Sequence, residues 1–131
     1  MKILFLALTL FLPFTVSQND PIAKTASLIG RGNVPELAKL FAPTIELTIG
    51  EDVNTYSNEQ ASTILTKFFT QNKPLGSHMI HKVNSGTNFL FGVLTLSTNN
   101  GNYRIGFTLK NVNNTDQLIE LRMENEKKNE E

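Results

Sequence analysis

The sequence predicts an α+β fold, with three N-terminal helices packed on a strongly curved antiparallel sheet in the order α-α-β-α-β-β-β-β. Three observations lead there. Residues 57–72 read as one amphipathic helix with a bulky apolar face. Four strand-like segments follow it without another helix, and an apolar face of that size needs a sheet to cover it. Gly92 and Gly106 interrupt two neighbouring segments, where glycine weakens pairing but permits a sharp bend.

The chain opens with Lys2, an apolar run over 3–12, the breaker Pro13 and the small residues Thr15-Val16-Ser17. Charge, apolar run, breaker and small residues stand in the order that export requires, and the run is too short to span a bilayer. The expected organisation is a signal peptide over 1–17, a single domain over 18–125 and a charged, solvated tail over 126–131. The domain begins with Asp20-Pro21, a cap followed by proline at the first helical position, then Ile22, Ala26 and Ile29 on one face and Gly30 at the end. Asn33 caps a second helix, with Glu36 at the capping-box position, Leu37, Leu40 and Phe41 apolar, and Pro43 as its stop. Residues 44–49 alternate: Ile45, Leu47 and Ile49 lie on one side and Thr44, Glu46 and Thr48 on the other, as in a half-buried strand. Gly50-Glu51-Asp52 is a turn before a short extended piece at 53–56. In the main helix Ser57 and Gln60 form a capping box, and Ala61, Ile64, Leu65, Phe68 and Phe69 share one face.

The C-terminal half reads as a meander. A two-residue turn at Asn100-Gly101 pairs Asn99 with Asn102 and, counted outward, sets Leu96 opposite Ile105 and Leu94 opposite Phe107 on the core face. The outer face then carries Phe91 opposite Lys110 and Val93 opposite Thr108. A three-residue loop at Asn113-Asn114-Thr115 pairs Leu109 with Ile119, Phe107 with Leu121 and Arg104 with Glu124. A two-residue turn at Gly86-Thr87 pairs Val83 with Leu90, His81 with Gly92 and Met79 with Leu94, so His81 faces the core.

This order of elements resembles the cone-shaped nuclear-transport-factor-two-like fold, also called cystatin-like. The chain also resembles a narrower family of small exported bacterial proteins, the domain of unknown function 4783. The residues that carry this resemblance are Leu37-Ala38-Lys39-Leu40-Phe41, Ile45-Glu46-Leu47-Thr48-Ile49, Tyr56-Ser57, Phe68-Phe69, His81, Phe91-Gly92-Val93-Leu94, Asn100-Gly101 with Tyr103-Arg104, and Leu118-Ile119-Glu120-Leu121-Arg122. Lys82-Val83-Asn84 departs from the continuation expected after His81. The family's function is not established, so the resemblance implies fold and export alone.

Composition narrows the chemistry. Without Lys2 the 12 basic residues become 11 against 12 acidic, which gives no electrostatic reason to bind nucleic acid. There is no cysteine, hence no disulfide framework, thiolate metal site, cysteine nucleophile or lipid-attachment cysteine. The expected protein is therefore periplasmic or extracellular and lacks a stable membrane anchor. No catalytic residue, metal or cofactor is assigned. Asp20, Asp52 and Asp116 sit in caps or turns, and no acid accompanies Tyr103 in the sheet, so the acid–base set of the ketosteroid-isomerase branch is not visible. The candidate ligand pocket is His81, Phe41, Phe68, Phe69, Tyr103 and Phe107 inside the cone; the plainer reading of the aromatics is a core, and of His81 a core histidine satisfied by backbone or water. His78 is expected on the opposite face from His81, which argues against a two-histidine metal site. Phe89, Phe91 and Val93, extended by Leu118, form a candidate self-association face with Arg104, Glu120, Arg122 and Glu124 as a polar rim. The favoured function is a non-enzymatic domain that binds a small apolar ligand or a protein partner, including a second copy as a homodimer. The alternative is a small hydrolase or isomerase using His81 in the cone.

Overall fold

The computed structural model describes residues 20–126; the expected leader and residues 127–131 of the tail lie outside them. The elements are α1 (Pro21–Gly30), α2 (Val34–Ala38), β1 (Phe41–Ile49), β2 (Asp52–Ser57), α3 (Asn58–Gln71), β3 (Pro74–Asn84), β4 (Phe89–Thr98), β5 (Gly101–Val112) and β6 (Thr115–Asn125). They build one six-stranded curved sheet in the order β2-β1-β6-β5-β4-β3, with the helices on one face. The expected order of elements changes at two points. The extended piece before the main helix is a full strand, β2, paired with β1 from Ile49–Asp52 to Thr44–Ser57, so α3 follows two strands. The sheet is also mixed, because β1 runs parallel to β6.

The second helix is shorter than its apolar spacing predicts. It ends at Ala38, and Phe41-Ala42-Pro43 already belong to β1. The Leu118 amide donates to the Leu40 carbonyl at 2.7 Å, and Phe41 pairs with Leu118. Pairing with β6 thus draws the chain out of the helix. Pro43 is accommodated because the β1–β6 register breaks between Phe41 and Glu46, where no ladder amide is needed. The caps follow the sequence. The Asp20 carboxylate accepts from the Ala23 amide at 3.1 Å, Asn33 accepts from the Glu36 amide at 3.3 Å, and Ser57 and Gln60 form a reciprocal box at 3.1 and 3.2 Å.

Each hairpin of the meander departs from its expected register for a local reason. At the β4–β5 turn Thr98 pairs with Gly101, so Leu94 faces Ile105 and Gly92 faces Phe107, two residues from the expected pairing. The residues of the turn are Asn99 and Asn100, neither at positive φ, followed by Gly101 at φ 110°. The Thr98 hydroxyl closes it by accepting from the Asn100 amide and donating to the Gly101 carbonyl. A slip of two leaves every side chain on its expected face. At β5–β6, Asn113 and Asn114 both adopt left-handed backbone (φ 52° and 63°) and make a two-residue turn, which places Leu118 opposite Leu109. A bulge at Ile119 then restores the expected pairing from Thr108–Glu120 to Arg104–Glu124. Between β3 and β4 the connection is Gly86-Thr87-Asn88, closed by the Ser85 hydroxyl on the Phe89 carbonyl at 2.8 Å. His81 therefore faces Val93 and Lys82 faces Gly92, and a bulge at Ile80 returns Met79 to Leu94 as expected.

The helix-facing side of the sheet buries Ile45, Leu47, Leu94, Leu96, Ile105, Phe107, Leu109, Leu118, Leu121 and Met123 against Ile22, Ile29, Leu37, Ala61, Leu65, Phe68 and Phe69. Gly92 is needed here. A Cβ at this position would fall within 2.9 Å of three Phe107 ring carbons, so the glycine makes room for Phe107 and not for His81. A polar latch joins the end of α3 to the β4–β5 turn. Tyr103 donates to the Asn72 side chain at 3.0 Å, Asn72 donates to the Phe68 carbonyl at 2.9 Å, and the Lys73 amide donates to Asn99 at 2.7 Å. Asn100 donates to the Gln71 carbonyl.

Candidate functional site

The expected ligand pocket is occupied by its own side chains. Phe41, Phe68, Phe69 and Phe107 are buried, and Phe68 packs edge-on against Phe69 and Tyr103 with ring centroids 5.3 and 5.0 Å apart. Tyr103 is half-buried and spends its hydroxyl on Asn72. His81 does not join them. It is exposed on the outer face opposite Val93, because the bulge at Ile80 reverses the alternation between Met79 and His81. The same bulge puts His78, opposite Thr95, on that outer face too, where simple alternation separates the two histidines. No third ligand joins the pair: among the described residues no group of three or more His, Cys, Asp or Glu is placed to hold a metal.

One open depression, about 390 Å³, lies where the start of α1 meets the β5–β6 turn. Leu40 and Leu109 form its apolar part, and Asp20, Lys24, Asn114 and Asp116 line its polar part. Across the adjoining mouth Lys82 pairs with Asp20. This ion pair, seconded by the Ala23 amide, holds the Asp20 carboxyl below its ordinary value. A charged rim of this kind does not match a small apolar ligand.

The outer face of the sheet is different. Phe91 is 38% exposed and Val83, directly opposite it, 47%. Phe89 stacks on Phe91 with centroids 6.5 Å apart and planes at 17°, and Lys110 lies over the Phe89 ring at 5.8 Å. The slip in register sets Phe89 opposite Lys110, Phe91 opposite Thr108 and Val93 opposite Gly106. Because Gly106 has no side chain, a pit of about 270 Å³ opens beside Phe91 and Val93, bounded by Arg104, Thr108, Glu120, Arg122 and Glu124. Arg122 pairs loosely with Glu124 at 3.8 Å, while Arg104, Lys110 and Glu120 make no ion pair among the described residues.

Of the four residues expected on the self-association face, the structure brings Phe89, Phe91 and Val93 together there and removes Leu118. Leu118 is fully buried on the helix side, since the two-residue turn and the bulge at Ile119 fix its parity. Sequence reasoning missed Val83, which counting through an unbulged strand places inward. It also missed the pit, for which a glycine at the outer-face position 106 was the available signal.

A family model described as domain of unknown function DUF4783 matches residues 22–124. A DUF4783 family protein from Bacteroides ovatus ATCC 8483 is similar over 81% of this chain and 96% of that one, at 26% identity and a TM-score of 0.77. Another from Bacteroides fragilis YCH46 is similar over 77% and 94%, at 26% identity and a TM-score of 0.73. A domain of unknown function with a cystatin-like fold from Nostoc punctiforme shares the fold at 11% identity, over 82% of this chain and 74% of that one, with a TM-score of 0.63. The wider set of similar structures includes NTF2-type proteins, in keeping with the cone architecture. Among curated proteins none matches the chain.

Proposed function

We propose that this chain, which belongs to the DUF4783 family, is a non-catalytic exported domain that works by docking another protein on the outer face of its sheet. The observation that carries this reading is the exposed apolar group formed by Phe91 and Val83 on neighbouring strands, continuous with Phe89 and Val93. Contiguous apolar surface of this kind on a soluble domain marks a contact site. Arg104 and Glu120, which make no ion pair among the described residues, stand beside it as a polar rim. The interior supports the same choice, because the aromatics expected to line a ligand cavity fill it instead. The enzymatic alternative has less support, since His81 is exposed on the outer face and its neighbour across the strand is Val93.

The test is site-specific cross-linking in the native host. A photo-reactive residue at Phe89 is expected to give a discrete higher-mass product, absent when the same residue replaces Thr70 on the exposed side of α3 and lost in Phe91→Glu. A product pattern indifferent to Phe91→Glu, or no product from position 89, overturns the reading.

A further inference from the structure

Resting on that reading, we infer that the protein docked on the outer face presents an extended acidic segment. The segment lies along β5 with an apolar side chain in the pit at Gly106 and a carboxylate at each end, on Arg104 and Lys110. The charge pattern points to this partner. From Gln60 to Thr115 the chain holds Lys67, Lys73, Lys82, Arg104 and Lys110 and no Asp or Glu. All of β3, β4 and β5 falls within that stretch, so this half of the outer face offers no carboxylate. Its exposed histidines, His78 and His81, cannot add a negative charge. The carboxylates of the face, Glu46, Glu120 and Glu124, stand on β1 and β6. The formal net charge of zero hides this division. An acidic partner is drawn to the half of the face that carries Phe91 and Val83, and a basic one is drawn away from it.

The shape sets how the partner lies. The outer residues of β5 are Arg104, Gly106, Thr108 and Lys110 in alternation. The two small ones floor the pit of about 270 Å³, between Phe91 and Val93 on β4 and Glu120 and Arg122 on β6. A cavity of about 150 Å³ already accepts a benzene ring. A Cβ at Gly106 would meet nothing nearer than the Gly92 carbonyl oxygen at 4.0 Å, so the space above the strand is open. The two cations close the row, about 20 Å apart at the rise of a strand. Neither makes an ion pair among the described residues. Lys110 rests over the Phe89 ring, and Glu124, opposite Arg104 in the ladder, pairs with Arg122 instead at 3.8 Å. A helical segment of the same length rises only about 9 Å and would not span the row. An extended one turns alternate side chains to the sheet. It sets an acid at Arg104, an apolar residue two positions on at Gly106, and a second acid four positions beyond that at Lys110.

Fluorescence anisotropy on the purified protein, as its host matures it, tests this with defined peptides. The probe is a labelled pool with the frame Asp-x-Phe-x-x-x-Asp, made in both chain directions, with serine or threonine at x. This acidic pool is expected to bind saturably, and the same pool with Asn in place of Asp about tenfold more weakly. Arg104 and Lys110 are exposed, so their substitution leaves the core intact. Arg104→Gln and Lys110→Gln should each weaken the acidic pool about two- to fivefold, the range of single exposed ion pairs, and leave the neutral pool unchanged. Glu120→Gln should not weaken it. An acidic pool that does not bind, or binds no better than the neutral one, overturns the inference. So does binding indifferent to Arg104→Gln and Lys110→Gln together. Sedimentation with phosphatidylglycerol vesicles addresses the other source of negative charge: Phe91-dependent capture on vesicles, without selection between the pools, assigns the face to a membrane surface and overturns the acidic segment. A Phe91-dependent cross-link from position 89 that persists unchanged in the Arg104→Gln, Lys110→Gln double variant leaves the docking function standing and removes only the acidic partner.

Discussion

Gly92 and Gly106 look alike in the sequence, each near the middle of a strand, yet they answer to opposite constraints. Gly92 lies beneath the Phe107 ring, whereas the space at Gly106 is open. Gly92→Ala is therefore expected to cost about 1–3 kcal/mol, the usual range for forcing extra volume into a packed core. Gly106→Ala should change stability by no more than about 0.5 kcal/mol, as surface substitutions away from special features do. Denaturant unfolding of the two variants checks this, and equal costs would show that Phe107 does not depend on Gly92. Thr48 is a second residue whose behaviour follows from its surroundings. It is buried on the outer side of β1, and its hydroxyl has no hydrogen-bond partner among the described residues. Thr48→Val keeps the shape and removes the unsatisfied group, so it should be neutral or stabilise by up to about 1 kcal/mol; a loss of stability in the same unfolding assay would reveal a partner for the hydroxyl.

At the scale of elements, what was legible in the sequence was whatever local chemistry writes. The caps at Asp20, Asn33 and Ser57, the apolar face of α3 and the core parity of β4 and β5 all follow from periodicity and from side chains that reach only a few residues. What was not legible depends on an extra residue in a strand. The bulges at Ile80 and Ile119 each reverse the faces of the residues between bulge and turn, and no composition signal marks either of them. His81, Val83 and Leu118 were misplaced because the β3–β4 connection is one residue longer and the β5–β6 turn one residue shorter than expected, each offset only beyond the bulge, and with them part of the candidate site was misread. The β4–β5 turn slipped by two because Asn99 and Asn100 bind the end of α3, a long-range contact that turn propensity does not contain. That latch is itself testable. Tyr103→Phe removes a neutral hydrogen bond and should cost about 1 kcal/mol, whereas Asn72→Ala also leaves the Tyr103 hydroxyl without its acceptor and should cost more, about 1–3 kcal/mol. In the double variant the costs should fall short of their sum, because both substitutions remove one shared bond. Additive costs in a thermodynamic cycle would show that the two groups do not support each other.

Over the whole molecule, stability should fall from the middle of the sheet to its edges. β6 and β5 have neighbours on both sides and carry the fully buried Ile105, Leu109, Leu118 and Leu121. β3 is an edge strand, exposed along most of its length, and is interrupted by the bulge at Ile80. Its distal part, 81–84, is held by its ladder to β4 and by the ion pair from Lys82 to Asp20, the N-cap of α1. The amides of 81–84 that bond β4 should therefore exchange through local opening, well before those of β5 and β6, which should open only with global unfolding. Asp20 makes this opening dependent on pH. Its folded-state pKa is lowered, first by Lys82 and then by the Ala23 amide, so its contribution is full above the ordinary aspartate value of about 3.9. It is lost as pH falls through the lower, folded value, when the carboxyl takes up a proton and ceases to hold Lys82. After correction for intrinsic exchange, local opening of the distal part of β3 should become easier on acidification through this range. Lys82→Met should make opening easier above the range and leave it nearly independent of pH within it, because the methionine keeps the apolar stem and loses the charge. Uniform protection across the sheet would contradict the gradient, and an unchanged acid dependence in Lys82→Met would show that Asp20 does not tie the edge strand to the helices.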